Sequence, residues 1–483
     1  MTKKILFLTL FTLIMLSSLH PIENEPVIYL EFKDFSKFLT ELQRDRHYRN
    51  FMSSSVIEWY ENTRLGLKFP KRLDEFEEVL GFSISIKNIA TLSGGETGIW
   101  LFDIGELELL LITKISESDY LRSSLARSRE SFGEGRIDTV TYYFKKDASG
   151  NKEIDFAFIE GNLILSNEPD KFELYLKRLL KDSNFTEWKK EDFLGWVDKP
   201  LNEDFDILLY LSSESVRNTY FTSYWFYKNQ KEIKEWFDRG LITLKKEQKQ
   251  IEENRIYNII EGFAFDSLAL KKTSQLFPIT PRNADLIKIQ PVYGEELENE
   301  IKRLLHGGKA ADSIFLKVEA MKPLCFGNFV KIREGKILPQ LEEGIAIIVE
   351  KPDKELENLF DRHFPLNLRN NELFLKNMPD FSIDGNILLF SNVKDFFKNR
   401  KAIKKDGLSF YSWLNFEGFG EGYKKEIELL KSSERWRSYE NRDFFEKNIA
   451  DLINIASSYI RSVKKEGKLI NGKLNEKVIY IIE

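Results

Sequence analysis

The sequence carries one cysteine, Cys325, in 483 residues. An intramolecular disulfide is thereby excluded, and no covalent staple holds the fold. Cys325 lies far from the apolar N-terminal run, so it is no lipid-attachment site. Between Leu324 and Phe326 it reads as a buried, inert thiol. Histidine is almost as scarce, with only His20, His47, His306 and His363 present. No His-Glu-x-x-His pair and no Gly-x-Ser-x-Gly elbow occurs, so two common hydrolase signatures are missing. The glycine-rich stretch at residues 93–98 lacks the Gly-Lys-Ser/Thr ending that cradles phosphate and reads as a strand-entry loop. The glycines after His306 read as a helix C-cap, and those at 418–422 lack the dinucleotide-binding spacing. Net charge is −5, with both signs interspersed, so no basic face for nucleic acid is expected. Beyond residue 16 no apolar run approaches the ~20 residues of a membrane-spanning helix.

What is present is apolar and aromatic. Hydrophobic residues make up 42% of the chain, and its 39 phenylalanines suffice to fill a large core. A chain this long exceeds one ordinary core, so two or more domains are expected. At the N-terminus, Lys3 and Lys4 precede an apolar run over residues 5–16, interrupted only by Thr9 and Thr12. A basic segment followed by ~7–15 apolar residues is an export signal. No clear small-x-small cleavage site follows, so residues 1–24 serve either as a signal peptide or as an N-terminal membrane anchor.

One local pattern occurs twice. Glu160-Gly161-Asn162 is a turn signal, followed by the apolar Leu163-Ile164-Leu165, by Ser166-Asn167 and by Pro169. Ile154, Phe156 and Phe158 alternate ahead of it, as a strand with one apolar face would. Ser166 or Asn167 is expected to cap the next helix, on which Phe172, Tyr175, Leu176 and Leu179 share one side. A near-copy begins 224 residues later at Asp384-Gly385-Asn386 and runs through Ser391-Asn392 to Phe396-Phe397. Two copies argue for an internal duplication.

Along the rest of the chain, residues 27–32 read as a strand and Asp34 as the cap of a helix. Pro70 is expected to break the chain before a short amphipathic helix bearing Leu73, Phe76, Val79 and Leu80. Ile84, Ile86 and Ile89 are expected to open a run of strands. Ser116-x-x-Asp119 marks a helix start. The aromatics Tyr220, Phe221, Tyr224, Trp225, Phe226 and Tyr227 are expected to lie on a helix facing the core. Residues 244–255 read as a charged helix face or connector, and 259–270 as strand. A new beginning at 277–281 gives two units, 25–275 and 276–483. Residues 314–318 are expected as strand, and 444–460 as helix. The fold class is therefore α+β: two related halves, each a largely antiparallel sheet with helices packed on one face.

The exported start, the strand–helix opening and the repeated unit at Gly161 and Gly385 together resemble a bacterial exported family of unknown function, built from two similar α+β halves. The resemblance covers most of residues 25–480 as pattern. It implies an envelope address and assigns no chemistry.

Two tripeptides are identical, Asp45-Arg46-His47 and Asp361-Arg362-His363. One Asp–His pair supplies too few ligands for a metal, and a helix C-terminus favours cationic groups, so both are expected to be structural. Asp74, Glu75, Glu77 and Glu78 cluster on one helix and read as a solvated face. No catalytic, cofactor-binding or metal residue is assigned, and no cofactor. The reading is a non-catalytic exported envelope protein acting by interaction or as a scaffold. An extracytoplasmic carrier of an apolar ligand or lipid is the alternative, and an enzyme with an unfamiliar site the third. The expected partner is an envelope protein or an apolar ligand, with membrane attachment through the N-terminal segment if it is retained.

Overall fold

The computed structural model describes residues 25–483 apart from 63, 104–106, 149, 151, 198–203, 218–234, 334–339, 366–378, 402, 404–406, 419–447 and 449. Contacts divide the chain into two compact units. The first runs to Lys246 and includes Tyr257–Ile260; the second comprises Glu247–Ile256 and Glu261–Glu483.

Among the described residues the first unit holds nine complete strands in one sheet: β1 (Ile28–Phe32), β2 (Thr97–Asp103), β3 (Glu108–Lys114), β4 (Gly133–Ile137), β5 (Val140–Lys146), β6 (Glu153–Ile159), β7 (Asn162–Ser166), β8 (Ile207–Leu211) and β9 (Phe237–Lys246). Their order is β9-β8-β1-β2-β3-β7-β6-β5-β4, and every pairing is antiparallel. Its helices are α1 (Phe35–Arg44), α2 (Arg46–Met52), α3 (Ser55–Glu61), α4 (Arg64–Leu80), α5 (Ile86–Leu92), α6 (Glu117–Arg122), α7 (Ser124–Ser128), α8 (Pro169–Lys181), α9 (Phe185–Asp192) and α10 (Ser213–Arg217).

Alternation along the strands feeds two cores. Ile28, Leu30, Phe32, Ile99 and Leu163 join Phe35 and Leu39 of α1, Val79 and Leu80 of α4 and Ile86 of α5. Tyr29, Trp100, Ile112 and Ile164 face the other way, onto Phe172, Tyr175, Leu176 and Leu179 of α8 and Trp188 of α9. Each such side chain contributes about 1.5–3 kcal/mol on burial. Helices thus cover both faces, where one was expected. Adjacent residues of a buried strand point to opposite sides, so a strand apolar at successive positions needs two covers.

The second unit contains β10 (Gln250–Ile259) in part, β11 (Leu286–Pro291), β12 (Pro323–Arg333), β13 (Gln340–Val349), β14 (Asp380–Asp384), β15 (Ile387–Ser391), β16 (Phe410–Asn415), β17 (Ile460–Ile470) and β18 (Lys473–Ile482). Its helices are α11 (Ser267–Lys272), α12 (Glu296–Leu304), α13 (Gly308–Ala320), α14 (Glu355–His363) and α15 (Ala450–Tyr459). The strand order β14-β15-β13-β12-β11-β16-β17-β18 is again antiparallel throughout. Here too apolar clusters lie on both faces.

Seven strands of each unit follow the same order, β6-β7-β3-β2-β1-β8-β9 against β14-β15-β13-β12-β11-β16-β17. The register agrees as well. One row across the first sheet reads Ala157, Ile164, Ile112, Gly98, Glu31, Leu208. The matching row of the second reads Ser382, Leu389, Ala346, Gly327, Ile289, Tyr411. The glycine in each row makes room for an aromatic ring two residues on. A Cβ on Gly98 would meet the Trp100 ring at 2.6 Å, and one on Gly327 the Phe329 ring at 2.7 Å.

A side-chain clip recurs at the end of the repeated strand. Asn167 accepts from the Leu109 amide at 2.7 Å and donates to the Leu107 carbonyl at 3.1 Å. Asn392 does the same to Glu343 and Leu341, at 2.8 Å each. These asparagines therefore lock a neighbouring strand instead of capping a helix; α8 begins after Glu168 with no side-chain cap. Asn167→Ala and Asn392→Ala should each destabilise by about 1–3 kcal/mol, the penalty of stranding buried backbone groups. Thermal unfolding checks this, and a loss below about 0.5 kcal/mol at either site would refute it.

Other expectations change. Matched through the clips, the two motifs are offset by 225 residues, since Asn167 corresponds to Asn392. In the first hairpin Glu160 and Gly161 both take positive φ, 47° and 76°, as a type I′ turn requires, between Ile159 and Asn162. In the second, Gly385 (φ 64°) comes first and the closing pair is Asp384 and Ile387. No helix follows the second copy directly. Asp395 adopts φ 61°, which breaks helical geometry, and Phe396 and Phe397 are buried from turns.

Helix α4 runs through Pro70 instead of starting after it. Ile86 and Ile89 lie on a helix begun by Ser85, whose hydroxyl accepts from the Asn88 amide at 3.2 Å; three-residue spacing outweighed their β-branching. Residues 244–246 end β9 and 250–255 belong to β10, where the charged Glu253 is buried and its neighbours are half-buried. Residues 314–318 are helical within α13, and 267–270 within α11. The aromatic run at 220–227 lies outside the described residues, as does the start of the helix expected at 444–460.

Candidate functional site

Between the sheet and the helices α1, α4 and α5 of the first unit lies a cavity of about 170 Å³ whose exposed lining has no polar surface. Its floor is Leu30, Ile99, Leu109, Leu111, Leu163 and Leu165; its roof includes Phe35, Leu73, Phe76 and Leu80. The amphipathic spacing of α4 turns Leu73, Phe76 and Leu80 onto the sheet. Cavities of ~150 Å³ with walls of this kind stay dry and admit benzene-sized apolar molecules. Chemically such a space can bind and shield alkyl groups. It can neither activate a nucleophile nor move a proton.

The opposite face of the same sheet holds a buried ion pair. Glu31 (0% exposed) sits centrally on β1, and Lys189 of α9 (4% exposed) bonds its carboxylate directly. The Tyr29 hydroxyl donates to Glu31 at 3.0 Å, and the Lys33 ammonium lies 3.6 Å away. Both ammonium groups approach the Phe205 ring, at 4.7 and 5.7 Å. Burial drives the Lys189 pKa down, and the Glu31 charge partly restores it. An open polar hollow of about 660 Å³ is bordered by Gly94, Gly95, Lys114, Asp119, Glu160 and Asn162.

The two Asp-Arg-His tripeptides fall in different units. Asp45 ends α1 and starts α2, accepting from the Tyr48 amide at 2.8 Å, so Arg46 and His47 open a helix instead of closing one. Asp361, Arg362 and His363 do form the last turn of α14. Among the described residues no group of three or more His, Cys, Asp or Glu is placed to hold a metal. Cys325 is fully buried, and burial pushes its thiol up to about 12.

Sequence reasoning placed Leu73, Phe76 and Leu80 on an apolar helix face but did not see a hollow beneath them. Apolar periodicity is the same whether the surface opposite is in contact or leaves a gap.

No family model matches the chain, and no curated protein does. The resemblance to a bacterial exported family therefore stays an expectation. Among solved structures, crystal form III of TP0453 aligns at 11% identity over 57% of this chain and 90% of that one, with a TM-score of 0.27. Crystal form I of TP0453 aligns at 12% over 56% and 88%, also with a TM-score of 0.27. Domains 2–3 of RctB align at 11% over 50% and 91%, with a TM-score of 0.09. Scores this low assign neither fold nor function.

Proposed function

We propose that this chain is a non-catalytic, extracytoplasmic envelope protein whose first unit holds an alkyl chain of a lipid or other apolar ligand. One observation carries the choice of carrier over pure scaffold: the cavity of about 170 Å³ with an exclusively apolar exposed lining. Its floor of leucine and isoleucine side chains suits a flexible aliphatic chain. The envelope address rests on Lys3, Lys4 and the apolar run that follows. The matched registers and paired asparagine clips support an origin by internal duplication, with the two units as its products.

Expression of the full chain in a bacterium, fractionation, and mass spectrometry of what co-purifies test this reading. The protein should appear in the envelope fraction and release an alkyl-bearing molecule on solvent extraction. Cytoplasmic retention would end the envelope reading, and protein free of any apolar molecule would end the carrier reading.

A further inference from the structure

The register match permits a position-by-position comparison of the face that is hollow in the first unit. Leu30, Ile99 and Leu109 line the cavity. Counting from the shared row, their counterparts are Lys288, Asn328 and Glu343. All three counterparts are polar, and helix α12 meets them with charges. Lys288 bonds Glu296, and Gln290, the counterpart of Phe32, donates to the same carboxylate at 2.5 Å. Asn328 donates to Glu300 at 2.8 Å. Arg303 bridges Glu300, at 2.7 Å, and Glu343. Farther along the sheet the two units agree again: Leu111, Leu163 and Leu165 match Ile345, Leu388 and Phe390, which are fully buried under the helices of the second unit.

We infer that Leu30, Ile99 and Leu109 are the residues that make the first unit the ligand-binding one, and that the second unit is a register-matched copy closed by its ionic plug, so that the chain binds one alkyl ligand. The inference rests on the carrier reading above. The physical ground is the cost of bringing alkyl groups against the buried Gln290, Asn328 and Glu343: each already bonds a charged side chain of α12, and an alkyl chain offers no hydrogen bond in exchange. An apolar ligand therefore gains nothing by displacing α12, while at the first unit it fills space that is already apolar.

The test is calorimetric titration of the delipidated full-length protein with 1-hexanol, an alkyl probe of the size that a space of about 170 Å³ admits. One molecule per chain is expected. Ile99→Asn, which gives the first unit the second unit's residue, should weaken binding at least tenfold. Asn328→Ile should leave affinity and stoichiometry unchanged. Circular dichroism and the melting curve establish that each variant is folded, and the stoichiometry of the unaltered protein stands whether or not Ile99→Asn folds. Two molecules per chain, or full affinity in a folded Ile99→Asn protein, would overturn the inference while leaving the carrier reading intact. No saturable binding by the unaltered protein would remove the carrier reading, and this inference with it.

Discussion

Lys189→Met should lower the stability of the first unit by about 3–5 kcal/mol, the range observed when one partner of a buried ion pair is removed. The reason lies in what remains. Glu31 is fully buried, and without Lys189 its charge keeps, among the described residues, the Tyr29 hydroxyl at 3.0 Å and the Lys33 ammonium at 3.6 Å. Replacing both partners is a different case. Desolvation of two ions offsets much of their attraction, so an apolar pair of similar volume is often neutral or better. The second unit offers a natural comparison, because the register counterpart of Glu31 is Ile289, which is fully buried. Glu31→Leu with Lys189→Met should therefore recover most of the loss. Denaturant unfolding of the single and double variants measures this. A single variant within about 1 kcal/mol of the parent, or a double variant as weak as the single, would contradict it.

Asp155 should make the first unit less stable as the pH rises. It lies on β6, 2% exposed, with one carboxylate oxygen lacking a hydrogen-bond partner. Burial raises its pKa from 3.8 to about 7, and the charge of Glu153 adds to the rise. The sign follows from proton counting. Below pH ~4 the carboxyl is protonated whether the chain is folded or not, and nothing is lost. Between the two pKa values the folded chain holds a proton that the unfolded chain has released. Stability falls across that window and stays reduced above pH ~7. Three pH units correspond to about 4 kcal/mol at most, and relaxation of the site makes about 2–4 kcal/mol the expectation. Asp155→Asn should match the parent near pH 4 and exceed it by that amount at pH 8. An unchanged slope in the Asn variant would show that the pH dependence originates elsewhere.

The parts of the fold most legible in the sequence were those set by short-range rules. Asp34 capped α1 as expected, accepting from the Lys37 amide at 2.8 Å. Pro169 opened α8, and Phe172, Tyr175, Leu176 and Leu179 were buried together. Long-range partners overrode other expectations. Asn167 looks like a helix cap in isolation, but its amide is taken by β3, which is 58 residues earlier at Leu109. Residues 314–318 have strand-like composition and are helical, because Ile314 and Val318 fall one turn apart on α13 and share its buried side. The candidate site was the least legible part. A cavity is a difference between two surfaces, each of which looks like ordinary core when its periodicity is read alone. The plug was hidden for a related reason, since Lys288, Asn328 and Glu343 acquire meaning only once the strand register sets them against Leu30, Ile99 and Leu109.

The position of β1 also governs the order of events during synthesis. Ile28 pairs with Leu101 on one side and with Leu211 on the other. The first strand among the described residues is thus interior to its sheet, and its second partner emerges from the ribosome only after almost the entire unit has been made. The same delay is written into the second unit, where Leu286 awaits Leu414. Pairings this distant in sequence are slow to form, because loop closure must precede the contacts that repay it. A nascent chain of this topology keeps one edge of β1 unpaired through most of the synthesis of its unit.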